Sequence, residues 1–289
     1  MATCGLLSAT ISPAGTKIVL RGTQPDFADF LGSLPSARWL PSEACWTCDA
    51  TPAAAHRLAS NELAPIELDD AVRTLATDFQ FCRRRALQAS MADDLPQPKA
   101  RVFDGWQHQL RAYHFADALP AALGAICMGG GKSKLAVDLV VNHDDRTVLI
   151  MAPVSVLGVW RREFAKHARG YDSLVLICDT KWSVKRRAKE AAEFVSRMQR
   201  IGRPAIVVVN YESVWRSEFG EWALAQEWDR VIADESHRLK AHNSQCSKWA
   251  AKLYRRSGRR LGLSVTPLAN GPEDAFGQAI GIDVGAVEH

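Results

Sequence analysis

From residue 121 to residue 265, short apolar runs rich in β-branched side chains alternate with segments of helical length, and this alternation constrains the fold more than any other feature. The runs cover residues 125–128, 147–152, 174–178, 206–209, 230–233 and 261–265. Between them lie stretches with a helical apolar period, such as 154–168 and 184–198. A strand that is apolar at nearly every position is buried on both faces. Repeated strand, helix, strand units of this kind therefore form a parallel sheet covered by helices on both sides. The expected fold class is α/β, a doubly wound parallel sheet.

The first hundred residues follow a different pattern. Residues 17–21 predict a strand, 25–34 a short helix, 38–49 a hairpin, 52–60 another helix and 68–90 a longer one. That order, β, α, β, β, α, describes a small α+β domain. A polar, proline-bearing stretch over residues 91–99 separates it from the rest, placing the domains at 1–95 and 96–289. No internal repeat or low-complexity tract is present.

Composition excludes several classes. With 47% hydrophobic and 24% charged residues the chain is neither disordered nor fibrous. No apolar run approaches the roughly 20 residues that span a bilayer. The N-terminus lacks the basic start and continuous apolar stretch of a secretion signal. The expectation is a cytoplasmic or nucleoid-associated protein, neither secreted nor membrane-bound. Seven cysteines, an odd number without regular spacing, predict reduced thiols. Cys45 and Cys48 have the spacing of half a zinc site, with Cys82 and His56 as conceivable further ligands. A strand pair of buried thiols is the expected reading, because tetrahedral sites need four ligands. The net charge of +4 is compatible with an anionic partner and identifies none.

Two segments carry chemistry. Met128, Gly129, Gly130, Gly131, Lys132, Ser133 and Lys134 follow a predicted strand and open a predicted helix. Glycines let the backbone turn so that successive N–H groups face a phosphate chain at a helix N-terminus. Lys132 would then neutralise the β- and γ-phosphates, and Ser133 would be a ligand for Mg²⁺. A glycine-rich turn with an incidental Lys-Ser is the structural alternative. The second segment is the strand 228–233, ending in Asp234-Glu235-Ser236-His237. Ligands bind beyond the carboxyl ends of parallel strands, so both acids arrive at the edge that holds the phosphate loop. Asp234 suits Mg²⁺, and Glu235 suits the orientation and deprotonation of an attacking water. An acidic helix cap is the alternative here.

These segments, with four others, resemble the helicase superfamily-two ATPases, specifically the Swi/Snf-type DNA translocases. The resemblance covers roughly residues 103–278. Residues 104–109, ending in Gln109, resemble the glutamine motif that reads adenine. Residues 125–133 resemble the family's phosphate loop, with Ile126 and Cys127 replacing its acidic pair. Residues 149–164 resemble the next motif. Val208-Val209-Asn210-Tyr211-Glu212 resembles the S/N-Y-E segment, and residues 234–237 the D-E-x-H box, in which His237 joins the catalytic set. Residues 264–270 resemble T-G-T-P-L-Q-N, whose Ser264 and Thr266 would couple nucleotide state to nucleic-acid grip. More loosely, residues 38–58 resemble a HARP-type module that recognises DNA junctions or single strands, with Trp39 and Trp46 placed to stack on bases or to pack in a small core.

The resemblance implies a RecA-like first lobe that binds ATP with Mg²⁺ and moves along DNA, duplex or junction. Pro153, Ser155, Asn210 and Tyr211 would lie along one DNA strand, touching phosphates. Such motors close a second lobe over the nucleotide and supply from it an arginine, an effect of about 10³ to 10⁵ in rate in related phosphoryl transfers. The chain stops at His289, just past the sixth motif, so the expectation is low turnover for the chain alone, with the other half supplied by a second-lobe polypeptide or by a missing remainder of the gene. Two other classes remain open: a nucleotide-dependent DNA-binding or regulatory protein without motor activity, and a stand-alone P-loop hydrolase. The basic run 181–189 adds to DNA attraction or is a solvated helix face.

Overall fold

The computed structural model describes residues 7–22, 28–32, 34, 36–63, 65–215, 217–241, 244–266 and 278. Residues 267–270 of the sixth motif lie outside these, as does part of the helix expected over 25–34. The chain divides into two compact units between Arg85 and Ala86.

The first unit contains β1 (Leu7–Ile11), β2 (Lys17–Arg21), α1 (Ala28–Gly32), β3 (Arg38–Leu40), β4 (Cys45–Asp49), α2 (Pro52–Ala59) and β5 (Ile66–Leu68). The helix α3 (Asp70–Met91) begins here and runs across the division, so the break in contacts falls inside a helix and not in the polar stretch 91–99. The strands form a sheet in the order β3-β4-β2-β1-β5, antiparallel except for the β1–β5 pair. Strands β1 and β5 add to the expected order. Strand β1 is as long as β2, whereas β5, of three residues, is too short to show a periodic signal and pairs with a strand far away in sequence. Cys45 and Cys48 sit three apart on β4, which directs them to opposite faces. Both are buried, and burial pushes the Cys48 thiol up to about 12. Among the described residues no group of three His, Cys, Asp or Glu side chains could hold a metal ion. Trp39 and Trp46 pair across the β3–β4 hairpin with ring centroids 5.9 Å apart.

The second unit runs α4 (Gln107–Asp117), β6 (Ala121–Ala125), α5 (Lys132–Asn142), β7 (Thr147–Ala152), α6 (Leu157–His167), β8 (Val175–Ile177), α7 (Val184–Arg200), β9 (Ala205–Asn210), α8 (Tyr211–Val214), α9 (Ser217–Ala225), β10 (Trp228–Asp234), α10 (Gln245–Arg255) and β11 (Ser257–Ser264). Its strands are parallel, in the order β6-β11-β10-β7-β9-β8 among the described residues. Every residue of β7 and β9 is buried, as near-continuous apolar strands require. Helices α4, α5 and α6 pack together, and α9 packs with α7 and α10. In α7 the buried Ala188, Ala191, Val195 and Met198 recur at helical spacing, and the Ser183 side chain caps its start by accepting from Arg186 N. The doubly wound α/β expectation is met. Strand β6 ends at Ala125, where the sequence pattern began a strand, because Ile126–Met128 already belong to the loop that turns into α5. No helix among the described residues is long and apolar enough to cross a membrane.

Candidate nucleotide site

Strand β6 stops with Ile126 N donating to Ser264 O at 3.1 Å, and the loop that follows is shaped by glycine. Gly129 and Gly131 have φ of 74° and 99°, the left-handed region that other residues rarely enter. Space is short as well: a Cβ on Gly130 would come within 2.7 Å of Ile126, and one on Gly131 within 2.5 Å of Gln109 Nε2. Gly131 is the N-cap of α5, whose ladder begins with Leu135 N donating to Gly131 O at 2.9 Å. The amides ahead of Leu135 therefore lie outside the helix's own hydrogen bonds and suit an anion.

Strand β10 brings the acids to the same edge. Lys132 Nζ donates to Glu235 Oε1 at 2.9 Å across 103 residues of sequence. Glu235 Oε2 lies 3.4 Å from His237 Nδ1, and that nitrogen is 3.3 Å from Ser264 Oγ. Ser264 Oγ also accepts from Thr266 N at 3.2 Å. Lys132, Glu235, His237, Ser264 and Thr266 are thus one connected set. Burial raises the Asp234 carboxyl to about 6, and the adjacent Glu235 adds to the rise. Lys132 and the nearby Trp160 indole pull the other way.

Gln109 sits at the third position of α4. Its Oε1 accepts from Trp106 N at 3.1 Å, and its Nε2 donates to Gly130 O at 3.3 Å. The side chain expected to read adenine thus ties α4 to the phosphate loop. His108 Nε2 also lies 3.1 Å from Gly130 O. A cleft of 520 Å³ opens beside this contact, lined by Phe103, Trp106, Gln109, Lys132, Ser133 and His167 among others. Trp106 and Met128 are 67% and 86% exposed.

Mg²⁺ is the metal that the resemblance implies, and the donors present fit it. Ser133 and Asp234 offer oxygen ligands, and a buried carboxyl held high by desolvation is a group that a cation returns to its charged form. Mg²⁺ binds through one or two carboxylates plus phosphate and water, without a protein cage.

Four expected positions are buried. Lys134, expected among the nucleotide contacts, is buried with its ammonium 2.5 Å from Asp138 Oδ2. Asn210 and Tyr211, expected to touch DNA, are 5% and 3% exposed. Tyr211 donates its hydroxyl to Asp234 O at 2.7 Å, and Asn210 pairs with Arg187 and Glu212. Both side chains are turned into the protein because the turn after β9 packs against the end of β10. Pro153 is also buried, whereas Ser155 is exposed. Trp160, within the segment 149–164, is buried and lies near Asp234.

The model of the SNF2-related domain matches residues 44–279. The chain belongs to this family. Among relatives of the SNF2-related domain here, a rice DNA repair and recombination protein, RAD54, is 28% identical over 131 residues, covering 45% of this chain and 13% of that protein. The Saccharomyces cerevisiae ISWI chromatin-remodeling complex ATPase ISW2 is 30% identical over 148 residues, covering 50% of this chain and 12% of that protein. In fold the chain is similar to the Sulfolobus solfataricus SWI2/SNF2 ATPase core in complex with double-stranded DNA, with a TM-score of 0.53 and 18% identity. That match covers 67% of this chain and 39% of the solved one. The chain thus spans a small part of the length of each relative.

Proposed function

We propose that this SNF2-related domain is the ATP-binding lobe of a motor that moves along duplex DNA and that hydrolyses ATP efficiently only with a second RecA-like lobe. The observation that carries the reading is the Lys132–Glu235 contact at 2.9 Å, which brings the phosphate loop and the acid box to one sheet edge. The loop amides of Gly129 to Gly131 and the Lys132 ammonium suit the β- and γ-phosphates. Ser133 and Asp234 would hold Mg²⁺, which neutralises phosphate charge when bound. Glu235 exchanges its lysine for an attacking water when phosphate claims Lys132, and His237 then connects Glu235 to Ser264. Support for DNA as partner comes from the relatives: one is a DNA repair protein, and one solved core was captured on double-stranded DNA.

The test is nucleotide binding and ATPase rate for the chain with and without duplex DNA, beside Lys132→Ala and Glu235→Gln. The expected result is Mg-ATP binding by the wild type and by Glu235→Gln, loss of binding in Lys132→Ala, and slow turnover that rises when a second-lobe polypeptide is added. An absence of nucleotide binding by the wild type overturns the reading. Rapid DNA-stimulated turnover by the chain alone removes the need for a second lobe.

A further inference from the structure

The turn after β9 reaches both ends of the acid box. Tyr211 opens α8 and donates its hydroxyl to the backbone oxygen of Asp234 at 2.7 Å. The next residue, Glu212, accepts from Arg238 Nη1 at 3.1 Å through Oε1 and from Asn210 Nδ2 at 2.9 Å through Oε2. Asn210 is itself held by Arg187 Nη1 at 3.2 Å. Arg187 is buried and also donates to the backbone oxygens of Asp179 and Thr180, at 2.9 and 2.6 Å, so the turn is anchored from behind.

Between the two attachment points lies Glu235, with φ 52° and ψ 54°. A glutamate holds this left-handed conformation only where its surroundings impose it. One attachment fixes the peptide before Glu235, and the other fixes the short helical turn Ser236–Leu239 after it. The Glu212–Arg238 pair is about half exposed on each side, so it contributes little to stability and its value is geometric. Burial of the Tyr211 phenol pushes its pKa up, so the hydroxyl stays a donor.

We infer that Tyr211 and the Glu212–Arg238 pair are positioning residues for the acid box, holding the Asp234–Glu235 backbone so that Asp234 can meet Mg²⁺ while Glu235 faces Lys132. The inference rests on the proposed role of Asp234 in Mg-nucleotide binding.

The experiment measures the affinity of the full chain for a fluorescent ATP analogue in Mg²⁺ and in EDTA, for the wild type, Tyr211→Phe, Arg238→Ala and Arg238→Lys. Thermal melting reports folding. The tightening by Mg²⁺ is expected to fall about tenfold in Tyr211→Phe and Arg238→Ala, the range found when the outer partners of a metal site are removed, and to recover in Arg238→Lys, which keeps a cationic donor for Glu212. If Tyr211→Phe does not fold, Arg238→Ala, changed at an exposed position, decides alone. A Mg²⁺ effect equal to that of the wild type in the folded variants overturns the inference. A wild type that binds the nucleotide equally in Mg²⁺ and EDTA overturns it too, by removing the role of Asp234. A wild type that binds no nucleotide in either condition overturns the proposed function itself.

Discussion

Asp234 illustrates a residue kept at a cost to stability. Burial and the adjacent Glu235 lift its carboxyl from 3.8 to about 6, so above that pH the folded protein carries a charge it disfavours. Between 3.8 and about 6 the folded state holds more protons than the unfolded one, and stability therefore rises as pH falls through this window. Asp234→Asn removes the penalty. Urea unfolding is expected to show the variant more stable by on the order of 1 to 3 kcal/mol at pH 8, with the gain gone near pH 4. A constant difference between the two proteins across that range counts against the assigned cause. The stabilised variant should also lose the Mg²⁺-dependent part of nucleotide binding, the trade expected where function holds a group in an unfavourable place.

Helix α6 shows how one element serves both core and site. Its Trp160 and Phe164 are 2% and 0% exposed, and Trp160 lies near Asp234. Phe164 stacks on Tyr171 with ring centroids 6.2 Å apart. Phe164→Ala leaves a cavity under the sheet and is expected to cost about 3 to 5 kcal/mol in urea unfolding. Arg162→Ala, on the exposed face of the same helix, should stay within about 0.5 kcal/mol of the wild type. Similar losses for both would mean that α6 is not packed as described.

At the scale of the whole molecule, the two compact units have separate hydrophobic cores with no residue in common. The core of the second unit is built on the strands β7, β9 and β10 and draws on large side chains such as Trp160, Phe164 and Phe219. The core of the first unit contains several alanines, among them Ala9, Ala54, Ala55 and Ala76. Burial of apolar area scales with side-chain size, so the first unit has the weaker core. Amide exchange followed along a urea gradient is expected to release peptides from residues 7–68 before those from β7, β9 and β10. A single shared transition for all of them would show one cooperative unit instead.

The alternation of apolar runs with helical segments determined the parallel α/β sheet, because a strand buried on both faces can be written only as a continuous apolar run. The glycine turn ahead of α5 was legible for a similar reason: backbone freedom at Gly129 and Gly131 is a property of the residue itself, carried wherever it lies. The acids were legible as a pair because strand direction alone delivers both to the carboxyl edge. Contacts between residues far apart were not written locally. Strand β5 owes its existence to pairing with β1, Leu7 opposite Ile66, and not to its own short pattern. The hydroxyl of Tyr211 and the ammonium of Lys134 each had several possible partners in the sequence. Packing chose Asp234 for the first and Asp138 for the second, because a buried polar group settles on the hydrogen-bonding partner that the surrounding side chains leave within reach.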